Sequence, residues 1–524
     1  MMKRILYVFV VLLAICCNKA DDGGDKPLGS SLEPIEVEEG KDLVGYILYS
    51  DGTRAEGVVV SDGFSCTVTN EKGVYQLARN DKARHVFFSY PNNCEITFDG
   101  NAVPEYYFKL PAKTNTALRH DFTLKKSGQI PPSKFVLYLI ADSQVKLPYM
   151  ESRFVDDIVA DINADVAGRN YPCIAVTLGD DGDDNLYHVS KGTTTTTFKT
   201  VSNLYGHLKI PCFHCIGNHD HDKTIASGDD YYYRSLSSYE EAFSPVNYSF
   251  NFGNVHFVVM DDVRYTAPST YTSGLLDEQV EWLRQDLSYV PTDRQVYVCL
   301  HIPIRGAASF QNRDALFDLL KPYPLKRIFA GHSHYNHHYI HTKHDNLHEW
   351  IVSAAHGLFW RGIIAKDGSY NGYGVCVVGK NGVEDEYYKS AKFDKSVQGR
   401  MLDPSKFTTW KDGRDNDNVR WTDKVICNIW NSDNQTYYKW KVELYEDGKK
   451  TMDMSLRNCQ DYSVSDWIDM YTEFKSINNT HNCKIWRAVP VSKTSVKKVR
   501  AVDPYGNEYW ITDVVNDPSV FVRY

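Results

Sequence analysis

Five apolar runs in the middle of the chain each stop at a short polar motif, and this pairing restricts the fold more than any other feature of the sequence. The runs are Phe135 to Ile140, Cys173 to Leu178, Cys212 to Ile216, Val296 to Leu300 and Arg327 to Ala330. All are short and rich in β-branched or aliphatic residues, the pattern of strands buried on both faces. The motifs are Asp142-Ser143-Gln144, Gly179-Asp180, Gly217-Asn218-His219-Asp220, His301 and Gly331-His332-Ser333-His334. Roughly 40 residues separate the first three, room for a strand, a crossover helix and a parallel strand, which need about 30. Glu151 to Val166 carries apolar residues at helical spacing, and Thr197 to Leu208 does so more weakly. The spacing predicts an α/β sheet whose strand ends deliver polar residues to one edge, where such folds place their sites.

A chain of 524 residues is too long for one core and implies about three domains. The net charge of −9 leaves no basic footprint, and no Lys/Arg cluster alternates with aromatics, so no stable nucleic-acid partner is expected. At the amino terminus, Lys3 and Arg4 precede the apolar stretch Ile5 to Ile15 and then Cys16-Cys17, a targeting segment too short to span a bilayer. Leu13-Ala14-Ile15-Cys16-Cys17 resembles a bacterial lipobox, in which one cysteine is acylated and anchors the protein to a membrane; an ordinary cleaved signal peptide is the alternative. The expected organisation is a signal peptide or lipobox over 1–17, a Gly/Ser/Asp-rich tether over 18–36, an antiparallel β-sandwich over 37–126, the α/β domain over 131–349 and a β-rich domain over 350–524. An extracytoplasmic location, periplasmic or cell-surface, follows from the lipobox. Cys212 and Cys215 have metal-like spacing but read as core packing, because alternate residues of a strand face opposite sides and no second ligand pair lies nearby.

The motif set resembles the calcineurin-like metallophosphoesterase superfamily, and the flanking β-modules resemble a bacterial lipoprotein branch with amino- and carboxy-terminal β-domains. Tyr248-Ser249-Phe250 and His256-Phe257-Val258-Val259-Met260-Asp261 carry the likeness beyond the motifs. The resemblance implies a four-layer α/β core, β-sheets flanked by helices, that binds two divalent ions: manganese, zinc or iron. Such ions lie roughly 3.5 to 4 Å apart and take oxygen and imidazole donors. By the family pattern Asp180 would bridge both ions, Asp142 and His334 would complete one shell, and Asn218, His301 and His332 would hold the other. The remaining position of the metal set is Gln144, where many relatives carry histidine and some glutamine. His219 would act as general acid on the leaving oxygen, with Asp220 orienting its ring. His188, His214, His256 and His356 read as structural or surface residues.

The implied activity is hydrolysis of phosphate monoesters or diesters outside the cytoplasm through attack of a metal-bridging hydroxide. The substrate would be a phosphorylated small molecule, sugar or lipid, its identity set by loops such as the one between His221 and Asn247. A catalytically silent surface lipoprotein that binds glycan or another ligand is the alternative.

Overall fold

Two mixed sheets pack face to face in the computed structural model, and every run of the sequence motif pattern is a strand of one or the other. The model describes residues 32–128, 131–305, 309–406, 421, 423–469 and 482–515. The signal and lipobox segment, with Cys16 and Cys17, and most of the tether lie outside them. The first sheet has the order Cys212–Phe213, Cys173–Thr177, Phe135–Ile140, Gly372–Gly379, Gly382–Ser390. Its first three strands are parallel, with Ala175 opposite Cys212 and Leu137 opposite Ile174. The last two run antiparallel, so two strands from beyond residue 350 complete the sheet. The second sheet has the order Tyr248–Phe252, Val255–Val259, Gln295–Cys299, Lys326–Ala330, Leu347–Ile351, His337–His341, parallel over its four central strands.

The period of two decides the layering. Leu137, Leu139, Ile174 and Val176 join Phe257, Val259, Tyr297 and Phe329 in the core between the sheets. Their neighbours Val136, Tyr138, Ile140 and Ala175 pack instead against Phe154, Ile158, Ile162, Val201 and Tyr205 on the outer helices. Helices Asp277–Ser288 and Arg313–Leu320 cover the far face of the second sheet through Leu283, Leu287, Leu316 and Leu320. The result is a helix, sheet, sheet, helix stack. The helix expected over Glu151 to Val166 runs from Pro148 to Ala167 with a π-helical stretch at Phe154–Val159. The second expected helix is Phe198–Tyr205, started by Thr197, whose Oγ1 accepts the Thr200 N–H at 3.1 Å.

Residues from Leu43 to Lys126 form a β-sandwich, but not a purely antiparallel one. Leu43–Tyr49 pairs parallel with Phe122–Lys126, so the first and last long strands lie side by side. The sandwich meets the core where Trp282 Nε1 donates to Ser61 Oγ at 3.0 Å. The carboxy-terminal β-strands, Gly399–Leu402 onward, form two four-stranded sheets and a two-stranded ribbon and reach the core through Asn431, whose Oδ1 lies 3.1 Å from His338 Nε2. Cys66, Cys94, Cys173, Cys212, Cys215, Cys299, Cys376 and Cys427 carry free thiols. Cys212 and Cys215 are buried in different clusters, as strand alternation requires. Among the described residues no helix is long and apolar enough to cross a membrane.

Candidate metal centre

The polar motifs meet at the carboxyl ends of both sheets. Asp142 and Asp180 leave strands of the first sheet, His301 and His332 leave strands of the second, and the chain turns abruptly at each. Asp142, Gln144, Asp180, His332 and His334 all have positive φ, between 42° and 64°. Non-glycine residues avoid this region, and strain of order 1–3 kcal/mol each persists only where the surroundings enforce it, commonly at functional sites. The motif glycines answer two demands. Gly179 turns the chain at φ 85°. Gly217 and Gly331 are needed for close approach instead: a Cβ on Gly217 would lie 2.2 Å from Asp180 Oδ1, and one on Gly331 2.7 Å from Asp142 Oδ2.

Two donor groups result, and Asp180 belongs to both: Asp180, His301 and His332 in one, Asp142, Asp180 and His334 in the other. In the first, His301 Nε2 lies 3.4 Å from Asp180 Oδ2 and 3.0 Å from Asn218 Oδ1, and His332 Nδ1 lies 2.9 Å from the same Asn218 oxygen. In the second, His334 Nε2 is 3.2 Å from Asp142 Oδ1. His301 Nδ1 donates to the Leu178 carbonyl at 2.8 Å, which turns Nε2 towards the site. The Gln144 Nε2 contacts Asp180 Oδ2 at 3.2 Å, while its Oε1 is buried without a hydrogen-bond partner. All seven expected ligand positions therefore face one place.

This donor set fits two divalent cations. It offers carboxylate, imidazole and amide donors, one carboxylate common to both groups, and an orphaned amide oxygen. The electrostatics agree. Burial opposes charge on His301, yet Asp180 and Asp142 push its pKa up to about 10. Burial would also raise Asp180, but His301 and His219 hold it well below the usual carboxylate range. His332 responds the other way: burial and the neighbouring His301 hold its pKa down at about 4.

His219 stands at the rim, its backbone N–H donating to Asp180 Oδ1 at 2.7 Å. Its Nδ1 lies 3.0 Å from Asp184 and 3.1 Å from Asp183. Asp220, expected to orient this ring, is turned away. Its carboxylate accepts the N–H groups of Asp181 at 3.1 Å, Gly182 at 2.8 Å and Gly217 at 2.9 Å, stitching two motif turns together. Three buried N–H groups without another acceptor claim it. Burial lowers the His219 pKa, but Asp180, Asp183 and Asp184 outweigh that and place it well above the ordinary value. The sequence reading missed Asp183 and Asp184, although the acidic run after Gly179 was their signal. It also missed Asp262, which fixes the His301 turn by accepting the N–H groups of His301 and Ile302 at 3.2 and 3.0 Å.

Two of the separate histidines pair with buried carboxylates. His214 Nδ1 lies 2.9 Å from Asp181, and His256 Nε2 2.8 Å from Asp286. His188 is half-buried beside Thr193 and offers a ring nitrogen within 4.8 Å of Asp183 and Asp184, and His356 is buried with its ring edge-on to His334.

Three family profiles match the chain: the N terminal of calcineurin-like phosphoesterase over residues 42–127, calcineurin-like phosphoesterase over 154–336, and the C terminal of calcineurin-like phosphoesterase over 349–509. The chain belongs to the calcineurin-like phosphoesterase family. It is similar to a probable cyclic nucleotide phosphodiesterase of Rhodococcus erythropolis, 25% identical over 23% of this chain and 39% of that one. It is also similar to a human manganese-dependent ADP-ribose/CDP-alcohol diphosphatase, 24% identical over 31% of this chain and 63% of that one. The chain thus spans less than two thirds of either relative. Among solved structures, a purple acid phosphatase from yellow lupin aligns over 64% of this chain and 74% of its own, at 12% identity and a TM-score of 0.34.

Proposed function

We propose that this calcineurin-like protein is a metal-dependent hydrolase of phosphate mono- or diesters that works outside the cytoplasm. The observation that carries the activity is the sharing of Asp180 between two donor groups, since only a carboxylate placed in this way offers an oxygen to each of two cations. When bound, two divalent ions would neutralise phosphate charge and lower the pKa of water. Asp142, Gln144, Asp180 and His334 would hold one, and Asp180, Asn218, His301 and His332 the other. His301 is oriented for this by the Leu178 carbonyl and by Asp262 beneath its backbone.

His219 supplies the other half of the reaction. Asp183 and Asp184 hold its Nδ1 proton and favour imidazolium, so the remaining ring nitrogen, Nε2, carries a proton for the leaving oxygen. A site built only to hold metal has no use for such a group. The extracytoplasmic location and lipid anchor are supported by Lys3-Arg4, the apolar run to Ile15 and Cys16-Cys17.

Assays of 4-nitrophenyl phosphate and bis(4-nitrophenyl) phosphate with manganese, zinc or iron supplied test the activity. Turnover of at least one ester, abolished by chelator and restored by metal, is expected. No turnover under any of these metals overturns the proposal.

A further inference from the structure

Among the described residues, two half-buried cations, Lys366 and Arg305, meet no counterion. The loop 363–371 is clamped between the metal motif and the carboxy-terminal strands. Asp367 accepts the N–H of Asn336, two residues past His334, at 2.7 Å. From the other side, Asn428 Nδ2 donates to the Asp367 carbonyl at 2.9 Å and Arg400 Nε to the Gly368 carbonyl at 3.3 Å. Lys366 rides on this fixed loop. It is half-buried, and among the described residues no carboxylate or hydrogen-bond acceptor meets its ammonium. Burial lowers its pKa, and Asp142 of the metal set counters this.

Arg305 repeats the pattern four residues beyond His301. It is half-buried, and its Nη1 is enclosed without a hydrogen-bond partner among the described residues. Its charge bears on His337, next to Asn336, and on Lys484. The other rim lysines differ: Lys146 is paired with Asp183 and Lys223 with Asp184.

A half-buried cation without a counterion is costly, and more so beside a centre built for two dications. The arrangement becomes favourable once an anion enters. An ammonium offers three donors and a guanidinium a fork suited to phosphate oxygens. We propose that Lys366, with Arg305 four residues past the ligand position His301, binds a second anionic group of the substrate, so that organic diphosphates are preferred over esters with one anionic phosphoryl. The inference rests on the phosphoesterase reading and narrows its substrate class. It also gives the carboxy-terminal strands a task, because Asn428 and Arg400 hold the loop that presents Lys366.

The test compares bis(4-nitrophenyl) phosphate with bis(4-nitrophenyl) diphosphate on the full-length, manganese-loaded protein, with products followed by phosphorus NMR. In Lys366→Met, kcat/KM for the diphosphate should fall about 10- to 100-fold, mainly through KM, while the single phosphate changes less than about 3-fold; one charge-assisted hydrogen bond carries an effect of that size. Lys366→Arg should recover most of the loss. Calorimetric titration with inorganic pyrophosphate should show the same weakening in Lys366→Met, and unchanged metal content and melting temperature would confirm an intact fold. Equal losses on both esters would overturn the proposal by placing Lys366 on the reacting phosphoryl, and so would unaltered diphosphate kinetics and pyrophosphate binding. If the wild-type protein turns over neither ester, the phosphoesterase reading itself fails, and the inference with it.

Discussion

Replacing Asp220 by asparagine separates two roles that the sequence left joined. The Asp220 carboxylate accepts three buried N–H groups, with Oδ2 shared between Asp181 and Gly217 and Oδ1 taken by Gly182. Asparagine keeps one acceptor oxygen, so at least one N–H must face an NH2 group. Loss of a charge-assisted bond costs about 1.5–3 kcal/mol, and a stranded buried donor about 1–3 kcal/mol more. Destabilisation of about 3–5 kcal/mol is expected, a melting shift of order 10 °C for a core of this size. Calorimetry and urea titration of Asp220→Asn measure it. Because Asp220 does not touch His219, the surviving folded fraction should retain the wild-type dependence of rate on leaving-group pKa. His219→Asn should do the reverse: normal melting and metal content, with turnover down by roughly 10² to 10⁴ and least affected for nitrophenyl esters. An Asp220→Asn protein of normal stability whose rate defect grows with poorer leaving groups would refute the assignment and restore Asp220 as the partner of His219.

Three further outcomes follow from the geometry. Asp183 and Asp184 raise the His219 pKa above its ordinary 6.5, so the acid form persists at neutral pH and is lost only as pH rises through the elevated value. Asp183→Asn or Asp184→Asn should therefore move the alkaline limb of the pH–rate profile to lower pH, and an unmoved limb in both variants excludes the pairing. Gln144→His should keep or raise turnover and metal content, because imidazole is the better donor at a position already facing Asp180; loss of bound metal would show that the amide oxygen is specifically required. If Cys16 or Cys17 is acylated, the mature protein should take up palmitate label and enter the detergent phase, and label retained in the double Cys→Ser variant would exclude the anchor.

The core was legible because its strands are buried on both faces and each ends at a motif. Phe135–Ile140 and its partners could be placed without knowing their neighbours. What could not be read was non-local pairing. Nothing local tells Gly372–Gly379 to lie against Phe135–Ile140, and the parallel contact of Leu43–Tyr49 with Phe122–Lys126 is set by how the sandwich closes. The ligand set was legible as residue types in order. The partner of His219 was not, because four acids follow Gly179 within five positions. Which of them points where depends on left-handed turns at Asp180 and Asp184 that spacing does not reveal.

The shared position of Asp180 is the centre of this account, and the metal content of Asp180→Asn tests it most directly. An amide offers one acceptor oxygen in place of two. The wild-type protein should carry two ions per chain by elemental analysis after loading and dialysis. Asp180→Asn should carry no more than one and lose at least about 10²-fold in turnover, at or beyond the scale seen when a supporting metal contact is removed. A variant that keeps two ions and full turnover would contradict the account.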